Sequence, residues 1–260
     1  MKILTLCLSL LSFILTADDY ELFIVAGQSN AQGWKGDAKH YPASPEDKTI
    51  PFYYASPKIG SSKGQWTELG PQEGRFPQGH FGPEITFARC LQKEGKKVAI
   101  FKFTLGATSL AGRWKKPGAK GLYDQMVEEY KKALKLMNDA GHSITVKGFI
   151  WIQGESDAGN PKANKAYLNN LETLMTDLEK VVQNKQFKII LGVDEQHPKV
   201  KAHPGIVEAQ QKFVAKNPKR AIYTSMIGLK KADATHLLPE SLLEHGNRLY
   251  QAYKKLPTHP

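Results

Sequence analysis

The sequence contains little cysteine, with only Cys7 and Cys90 among its 260 residues. Two cysteines cannot build a disulfide framework, and a chain of this length can bury a core without one. Standard zinc-binding spacings are also missing, including around Asp194, His197 and His203. The sequence therefore excludes a protein stapled by disulfides, and it indicates no metal site.

Clusters of basic residues are lacking as well, although Lys and Arg outnumber Asp and Glu by 36 to 25 and give a formal net charge of +11. The basic residues occur as scattered pairs between acidic ones, which is typical of a solvated surface rather than a phosphate-binding face. The glycines of segment 27–33 form neither a dinucleotide-binding pattern nor a P-loop. We therefore predict no nucleic-acid partner and no nucleotide cofactor.

The longest apolar run lies at the start of the chain, where segment 3–16 follows Lys2 and precedes Ala17. A positive residue, an apolar stretch and a small residue in this order are typical of a secretory signal peptide. The stretch is shorter than the roughly 20 residues that span a bilayer, so a retained membrane anchor is the weaker alternative. We predict a signal peptide over 1–17 and a secreted or periplasmic domain over 18–260, without a membrane contact after cleavage.

Short apolar segments alternate with longer amphipathic segments through the rest of the chain, which is the pattern of an α/β protein with a parallel sheet. Five segments are nearly continuous in apolar residues, as strands buried on both faces should be. They are 22–26, 97–103, 146–152, 187–193 and 220–226. The spacing predicts helices over 83–94, 122–140, 162–183, 205–216 and 239–254. We therefore predict one α/β domain on a mostly parallel five-stranded sheet.

Segment 34–82 interrupts this alternation with mixed glycine, proline, serine and aromatic residues. Loops of this length in compact domains are usually functional or disordered, and the aromatic content favours an ordered, packed wall. Together with Trp114 and Trp151, these aromatic residues form either a surface on which sugar rings stack or ordinary core packing.

The first predicted strand leads into Gly-Gln-Ser-Asn-Ala-Gln-Gly, which places Ser29 between Gly27 and Gly33. Ligands bind at the carboxyl ends of the strands in open α/β sheets. A serine on a tight turn from strand to helix exposes its hydroxyl, and the N–H groups at the start of the helix can stabilise an oxyanion. Ser29 is thus either a nucleophile or an ordinary N-cap residue.

The segment from Asp233 to His236 follows the last predicted strand and precedes the last helix. His236 can accept a hydroxyl proton, and a carboxylate three residues away can orient the imidazole and stabilise the imidazolium. This spacing alone is a weak pattern, because it also arises from caps and surface residues. Its combination with Ser29 is more informative, because a doubly wound sheet can bring the ends of its first and last strands together.

Two further loops at predicted strand ends carry candidates for an oxyanion hole. Gln153 follows the middle strand and can donate from its amide, and the backbone N–H of Gly106 follows the second strand. Glu155 and Asp157 lie just beyond Gln153. They can orient the histidine, bind sugar hydroxyls or cap the next helix.

These motifs resemble the SGNH-hydrolase superfamily, specifically its sialate O-acetylesterase-like and carbohydrate acetylesterase branch, carbohydrate esterase family six. The resemblance is carried by G-Q-S-N, W-I-Q-G-E-x-D and D-A-T-H-L, in that order at three strand ends. It implies a flavodoxin-like, three-layer α/β/α sandwich. It also implies Ser29 as the nucleophile and His236 as the base, oriented by Asp233, with Glu155 as the alternative third member of the triad.

The same resemblance implies an oxyanion hole formed by the N–H groups of Ser29 and Gly106 and by the amide of Gln153, with no metal or other cofactor. The expected protein is a secreted serine esterase that removes O-acetyl groups from carbohydrates through an acyl-enzyme. Acetylxylan or a related polysaccharide is the first expected substrate, and O-acetylated sialic acid is the second. The alternatives are a catalytically silent glycan-binding protein of the same fold and a lipase-type esterase for longer acyl chains. The sequence assigns no oligomeric state.

Overall fold

The structure, a computed structural model, describes residues 17–257, so the expected signal peptide lies outside the described residues except for Ala17. Within this range, eight strands form one sheet. They are β1 Asp19–Gly27, β2 Pro51–Ser56, β3 Gly60–Ser61, β4 Thr67–Glu68, β5 Val98–Thr104, β6 Ser143–Ile152, β7 Lys188–Gly192 and β8 Ala221–Tyr223.

Helices connect most of these strands. The α-helices are α1 Ser29–Gln32, α2 Glu84–Gln92, α3 Leu122–Asp139, α4 Glu155–Ala158, α5 Pro161–Val182, α6 Pro198–Ala202, α7 Gly205–Lys216 and α8 Pro239–Lys255. Two 3₁₀-helices, Ala38–His40 and Pro45–Thr49, and a π-helical turn, Leu110–Trp114, complete the elements. Between residues 17 and 257, no helix has both the length and the apolar character needed to cross a bilayer.

The strand order in the sheet is β3-β2-β5-β1-β6-β7-β8, with β4 beside β2. The pairs from β2 across to β8 are all parallel, and antiparallel pairing is confined to the short strands β3 and β4. The five strands predicted from the sequence are all present, and the mostly parallel α/β fold class is confirmed. Neighbouring strands on either side of β1 belong to later parts of the chain, so their carboxyl ends meet in a crevice beside the end of β1.

Side chains alternate between two apolar cores on opposite faces of the sheet. On β1, Leu22 and Ile24 enter one core, whereas Phe23 and Val25 enter the other. Helices α3, α5 and α7 cover the first face, and α2 and α8 cover the second. This is the three-layer arrangement that the motifs imply.

Segment 34–82 is ordered, as its aromatic content predicts, but it is more regular than a long loop. It contains β2, β3 and β4, and β2 extends the parallel sheet beyond β5. Phe52 and Tyr53 on β2 are almost completely buried. The prediction of five strands is therefore wrong, and the sheet has eight over the described residues. The sequence of β2 is a short aromatic run between turn residues, which has too little periodicity to be recognised as a strand.

Candidate active site

Ser29 lies directly beyond the carboxyl end of β1, as the first residue of α1, with little exposed surface. Gly27 permits this turn: its φ is 139°, and a Cβ there would lie 2.1 Å from the carbonyl oxygen of Ile152 on β6. The N-cap residue of α1 is Gln28, so the interpretation of Ser29 as an N-cap is wrong.

Asn30 connects the turn that carries Ser29 to the loop that carries His236. Its Nδ2 donates to the carbonyl oxygen of Thr235 at 3.2 Å, and its Oδ1 accepts from the N–H of Leu237 at 3.1 Å. Asn30 is almost completely buried. These two bonds on either side of His236 bring the first and last motifs together.

His236 is paired with Asp233. Its Nδ1 lies 3.0 Å from both carboxylate oxygens of Asp233, and the Thr235 hydroxyl lies 2.9 Å from the same nitrogen. Desolvation would raise the pKa of Asp233, but hydrogen bonds from His236 and Thr235 outweigh it and lower that pKa well below its usual range. Asp233 is thus a carboxylate throughout the physiological range, able to stabilise an imidazolium.

The ring of His236 also faces Trp34, with ring centroids 6.0 Å apart and planes inclined by 30°. Trp34 also contacts the Arg75 guanidinium, which lies 3.4 Å from the ring centroid. In the described part of the chain no hydrogen bond joins the Ser29 hydroxyl to His236, so that contact stays a prediction. In ligand-free enzymes such contacts are often long and tighten only with substrate.

Trp114 and Trp151 do not contribute to a sugar-stacking surface. Both are completely buried, and their rings pack edge to face with centroids 4.7 Å apart. The stacking interpretation is wrong for these two residues. Of the three tryptophans, Trp34 is the one that is partly exposed, and its ring lies between the His236 ring and the Arg75 guanidinium.

Gly106 lies against Ser29, since a Cβ on Gly106 would be 3.5 Å from the Ser29 Cβ. Its N–H donates to Oε1 of Gln32 at 3.0 Å. The next residue, Ala107, is exposed and has a φ of 57°, a left-handed conformation that costs a non-glycine residue free energy. The loop after β5 is therefore strained beside the nucleophile, as loops at active sites often are.

Gln153 is fully buried at the end of β6. Its Nε2 donates to Asp157 Oδ2 at 2.6 Å and to the carbonyl oxygen of Thr108 at 2.9 Å, and it lies 3.3 Å from Gln28 Oε1. An amide nitrogen carries two hydrogens, so both are engaged in this state. The role of Gln153 as an oxyanion donor stays a prediction that requires at least one of these bonds to be exchanged.

Asp157 anchors the loop that follows β5. Its carboxylate accepts from the N–H groups of Leu110 at 2.7 Å and Ala111 at 3.1 Å, and from Gln153. The N-cap of α5 is Asn160, so neither Asp157 nor Glu155 caps that helix. Asp157 instead joins the loops after β5 and β6.

Glu155 is buried and is not hydrogen-bonded to His236 within the described residues. Its Oε1 accepts from the N–H of Asp194 at 3.2 Å, and Lys231 Nζ donates to Asp194 Oδ2 at 2.5 Å. Burial raises the pKa of Glu155 to about 7, and backbone hydrogen bonds oppose that rise. Over residues 17–257, no group of three or more His, Cys, Asp or Glu side chains is arranged to hold a metal ion.

Sequence reasoning missed Asn30 and Gln32 in this site, and also the buried pair of Lys102 and Glu84, whose side chains approach to 2.6 Å and whose lysine donates to the carbonyl oxygen of Gln32 at 3.1 Å. Asn30 and Gln32 lie in the same motif as Ser29, and their residue types are equally typical of an ordinary turn. Lys102 carries a detectable signal, because a lysine within a strand that is apolar on both sides needs a buried partner.

The chain matches the family model for a carbohydrate esterase, sialic acid-specific acetylesterase, over residues 19–255. No curated protein sequence matches it significantly.

Three solved structures are similar in fold. A protein from Arabidopsis thaliana is 22% identical, with 92% of this chain and 98% of that chain covered and a TM-score of 0.67. NanS is 14% identical, with 93% of this chain and 98% of NanS covered and a TM-score of 0.66. A carbohydrate acetylesterase from Xanthomonas citri is 20% identical, with 91% of this chain and 56% of that chain covered and a TM-score of 0.60.

Proposed function

This chain belongs to the carbohydrate esterase family of sialic acid-specific acetylesterases and is a carboxylic ester hydrolase, and from that premise we propose that it is an exported serine esterase that deacetylates carbohydrates through an acyl-enzyme. The family supports an acetylated carbohydrate as substrate, as the motifs predicted. Export is supported by the leader pattern of residues 1–17.

The contact between Asp233 and His236, in a loop that Asn30 ties to the helix of Ser29, is the observation that best supports this mechanism. His236 takes the proton from the Ser29 hydroxyl, whose oxygen attacks the acetyl carbonyl carbon. His236, oriented by Asp233, then protonates the departing sugar oxygen. In the second half, His236 activates a water molecule that attacks the acyl-enzyme, and acetate leaves with Ser29 restored.

The oxyanion of each tetrahedral intermediate requires donors close to Ser29. We assign the N–H of Ser29, at the start of α1, as one donor, and the Gly106 N–H and the Gln153 amide as the others. When substrate binds, the Gly106 N–H must leave Gln32 Oε1. The Gln153 amide must likewise give up its bond to Asp157 or to the carbonyl oxygen of Thr108.

The test of the nucleophile compares Ser29→Ala with Ser143→Ala, an exposed serine at the opposite end of the sheet. Ser29→Ala should lower kcat for an aryl acetate at least about 10⁴-fold and abolish covalent labelling by a fluorophosphonate. Ser143→Ala should match wild type. A folded Ser29→Ala protein with normal turnover and labelling would eliminate the serine mechanism, and a wild type with neither would favour the silent glycan-binding alternative.

The substrate is proposed as O-acetylated sialic acid, which the family description supports, ahead of acetylxylan and related polysaccharides. Acetate release from a panel of O-acetylated sialosides and polysaccharides measures this preference directly. Faster release from xylan would reverse the order. Comparison of acetyl and octanoyl esters of one alcohol separates this enzyme from a lipase, because a lipase-type site gains rate with the longer chain.

A further inference from the structure

A buried ion pair lies behind the turn that carries the nucleophile. Lys102, in the central strand β5, and Glu84, the first residue of α2, approach to 2.6 Å, and both side chains have 0% exposure. Burial lowers the pKa of Lys102, and the Glu84 carboxylate opposes that change. The proposed mechanism uses neither residue.

The pair contacts α1 directly. Lys102 Nζ donates to the carbonyl oxygen of Gln32 at 3.1 Å, and Gln32 is the last residue of the four-residue helix that begins at Ser29. The side chain of the same Gln32 accepts from the N–H of Gly106 at 3.0 Å. One glutamine thus links the lysine, the nucleophile helix and the loop after β5.

Both carboxylate oxygens of Glu84 are engaged, one by Lys102 and the other by neighbouring donors. Its Oε1 accepts from the N–H of Gly82 at 3.0 Å and from Gln72 Nε2 at 3.2 Å, while Oε2 meets Lys102. The enclosure is tight, since a Cβ on Gly82 would lie 2.6 Å from Glu84 Oε2 and 2.8 Å from Lys102 Nζ. The position of the ammonium group is therefore closely determined.

Overall stability does not explain this pair. Removing two charges from water is expensive, and apolar residues of similar volume often stabilise a fold as well or better. A helix of four residues, by contrast, cannot hold its own shape, because helix nucleation is unfavourable and a single turn is marginal in water. A donor fixed at its last carbonyl group orients it.

We propose that Lys102, held by Glu84, is a positioning residue for catalysis. It fixes α1 and thereby aligns the Ser29 hydroxyl with the Gly106 N–H. This role rests on the proposed function, because it concerns the alignment of the same nucleophile and oxyanion donor. Misplacement of a reacting group by about 1 Å can cost about 100-fold in rate.

The experiment compares Lys102→Met with Lys188→Met as a matched control. Lys188 is another buried lysine in the sheet, on β7, and its Nζ donates to the carbonyl oxygen of Leu256 at 3.0 Å, just after α8. Lys102→Met should lower kcat for an aryl acetate on the order of 10- to 100-fold with little change in KM. Lys188→Met should keep the wild-type kcat per folded molecule.

A double variant, Glu84→Leu with Lys102→Met, separates positioning from stability, because it removes both charges and leaves neither uncompensated. The double variant should regain the stability lost in the single variant while its kcat stays low. Recovery of kcat together with stability, or a normal kcat in folded Lys102→Met, would overturn the positioning role alone. If Lys102→Met does not fold, the double variant alone provides the test: a low kcat supports the positioning role, and a normal kcat overturns it. Absence of turnover and labelling in wild type would instead remove the proposed function, and the positioning role with it.

Discussion

Asp233 and Glu155 are the two carboxylates that the motifs offer as partners of His236, and they lie in opposite environments. The Asp233 side chain is 38% exposed and lies 3.0 Å from Nδ1 of His236. Glu155 is 2% exposed and bonds to the backbone of Asp194. An orienting carboxylate must be charged and must touch the imidazole, so the geometry favours Asp233.

Asp233→Asn should therefore lower kcat much more than Glu155→Gln does. We expect a fall on the order of 10³- to 10⁴-fold for Asp233→Asn, because the imidazole loses its orientation and its counter-charge. We expect less than about tenfold for Glu155→Gln, which keeps the shape of a buried side chain. Steady-state kinetics on an aryl acetate measures both, and the reverse order would make Glu155 the third member of the triad.

Glu155 has a second consequence at the residue scale, because its pKa is raised from 4.5 to about 7 in the folded protein. The folded state then holds this proton more tightly than the unfolded state. The resulting stabilisation is complete below about pH 4.5 and is lost as the pH rises through about 7.

Chemical denaturation at pH 5 and pH 8 tests this linkage. Between these values, wild type should lose about 2–3 kcal/mol more unfolding free energy than Glu155→Gln, which cannot ionise. The exposed Glu128→Gln provides the control and should follow wild type. Identical pH profiles for wild type and Glu155→Gln would show that Glu155 ionises normally.

At the scale of elements, the site depends on how two loops are held at one edge of the sheet. Helix α1 follows β1, and the loop that contains His236 lies between β8 and α8, more than 200 residues later. Asn30 makes the two hydrogen bonds that join them, at 3.2 Å and 3.1 Å. A buried side chain with both groups paired is costly to remove, since its partners are left unsatisfied.

Asn30→Ala should lower the unfolding free energy by about 1–3 kcal/mol and should also lower kcat, since it releases the His236 loop from α1. Asn160→Ala is the matched control, because Asn160 caps α5 from an exposed position. It should cost about 1 kcal/mol of stability and leave kcat unchanged. Equal effects of both substitutions on kcat would remove the special role of Asn30.

At the scale of the whole molecule, the protein is positively charged, with a formal net charge of +11. Several of the basic side chains are paired with carboxylates on the surface, for example Lys135 with Asp139 and Lys216 with Glu172. Such pairs contribute little individually, but the summed charge attracts anionic substrates over a distance that salt shortens.

The charge predicts a difference between acidic and neutral substrates. The kcat/KM for an acidic acetylated sugar should fall several-fold as salt rises, because screening weakens long-range attraction. A neutral acetylated sugar should show little change. Measurements of both at low and high ionic strength test this, and an identical response would remove acidic glycans as preferred substrates.

The sheet shows where sequence patterns are sufficient. Strands buried on both faces are apolar throughout, so β1, β5, β6 and β7 were predictable without any contact information. The edge strand β8 is only partly buried and was predictable from its short apolar run. By contrast, β2 becomes a strand only through its pairing with β5 and the burial of Phe52 and Tyr53. Its local sequence, between proline and serine, is equally compatible with a loop.

The sequence by itself determined the α/β class, the family and the motif positions of Ser29, Asp233 and His236, because these depend on local patterns and on their order along the chain. Tertiary structure decided the rest: the contact of Asn30 with the His236 loop, the engagement of Gln153 by Asp157, and the pairing of Lys102 with Glu84 beneath α1. Each of these joins groups whose meeting depends on strand order and on burial. Burial decides which polar groups must find partners, and it is a property of the packed molecule rather than of any local segment.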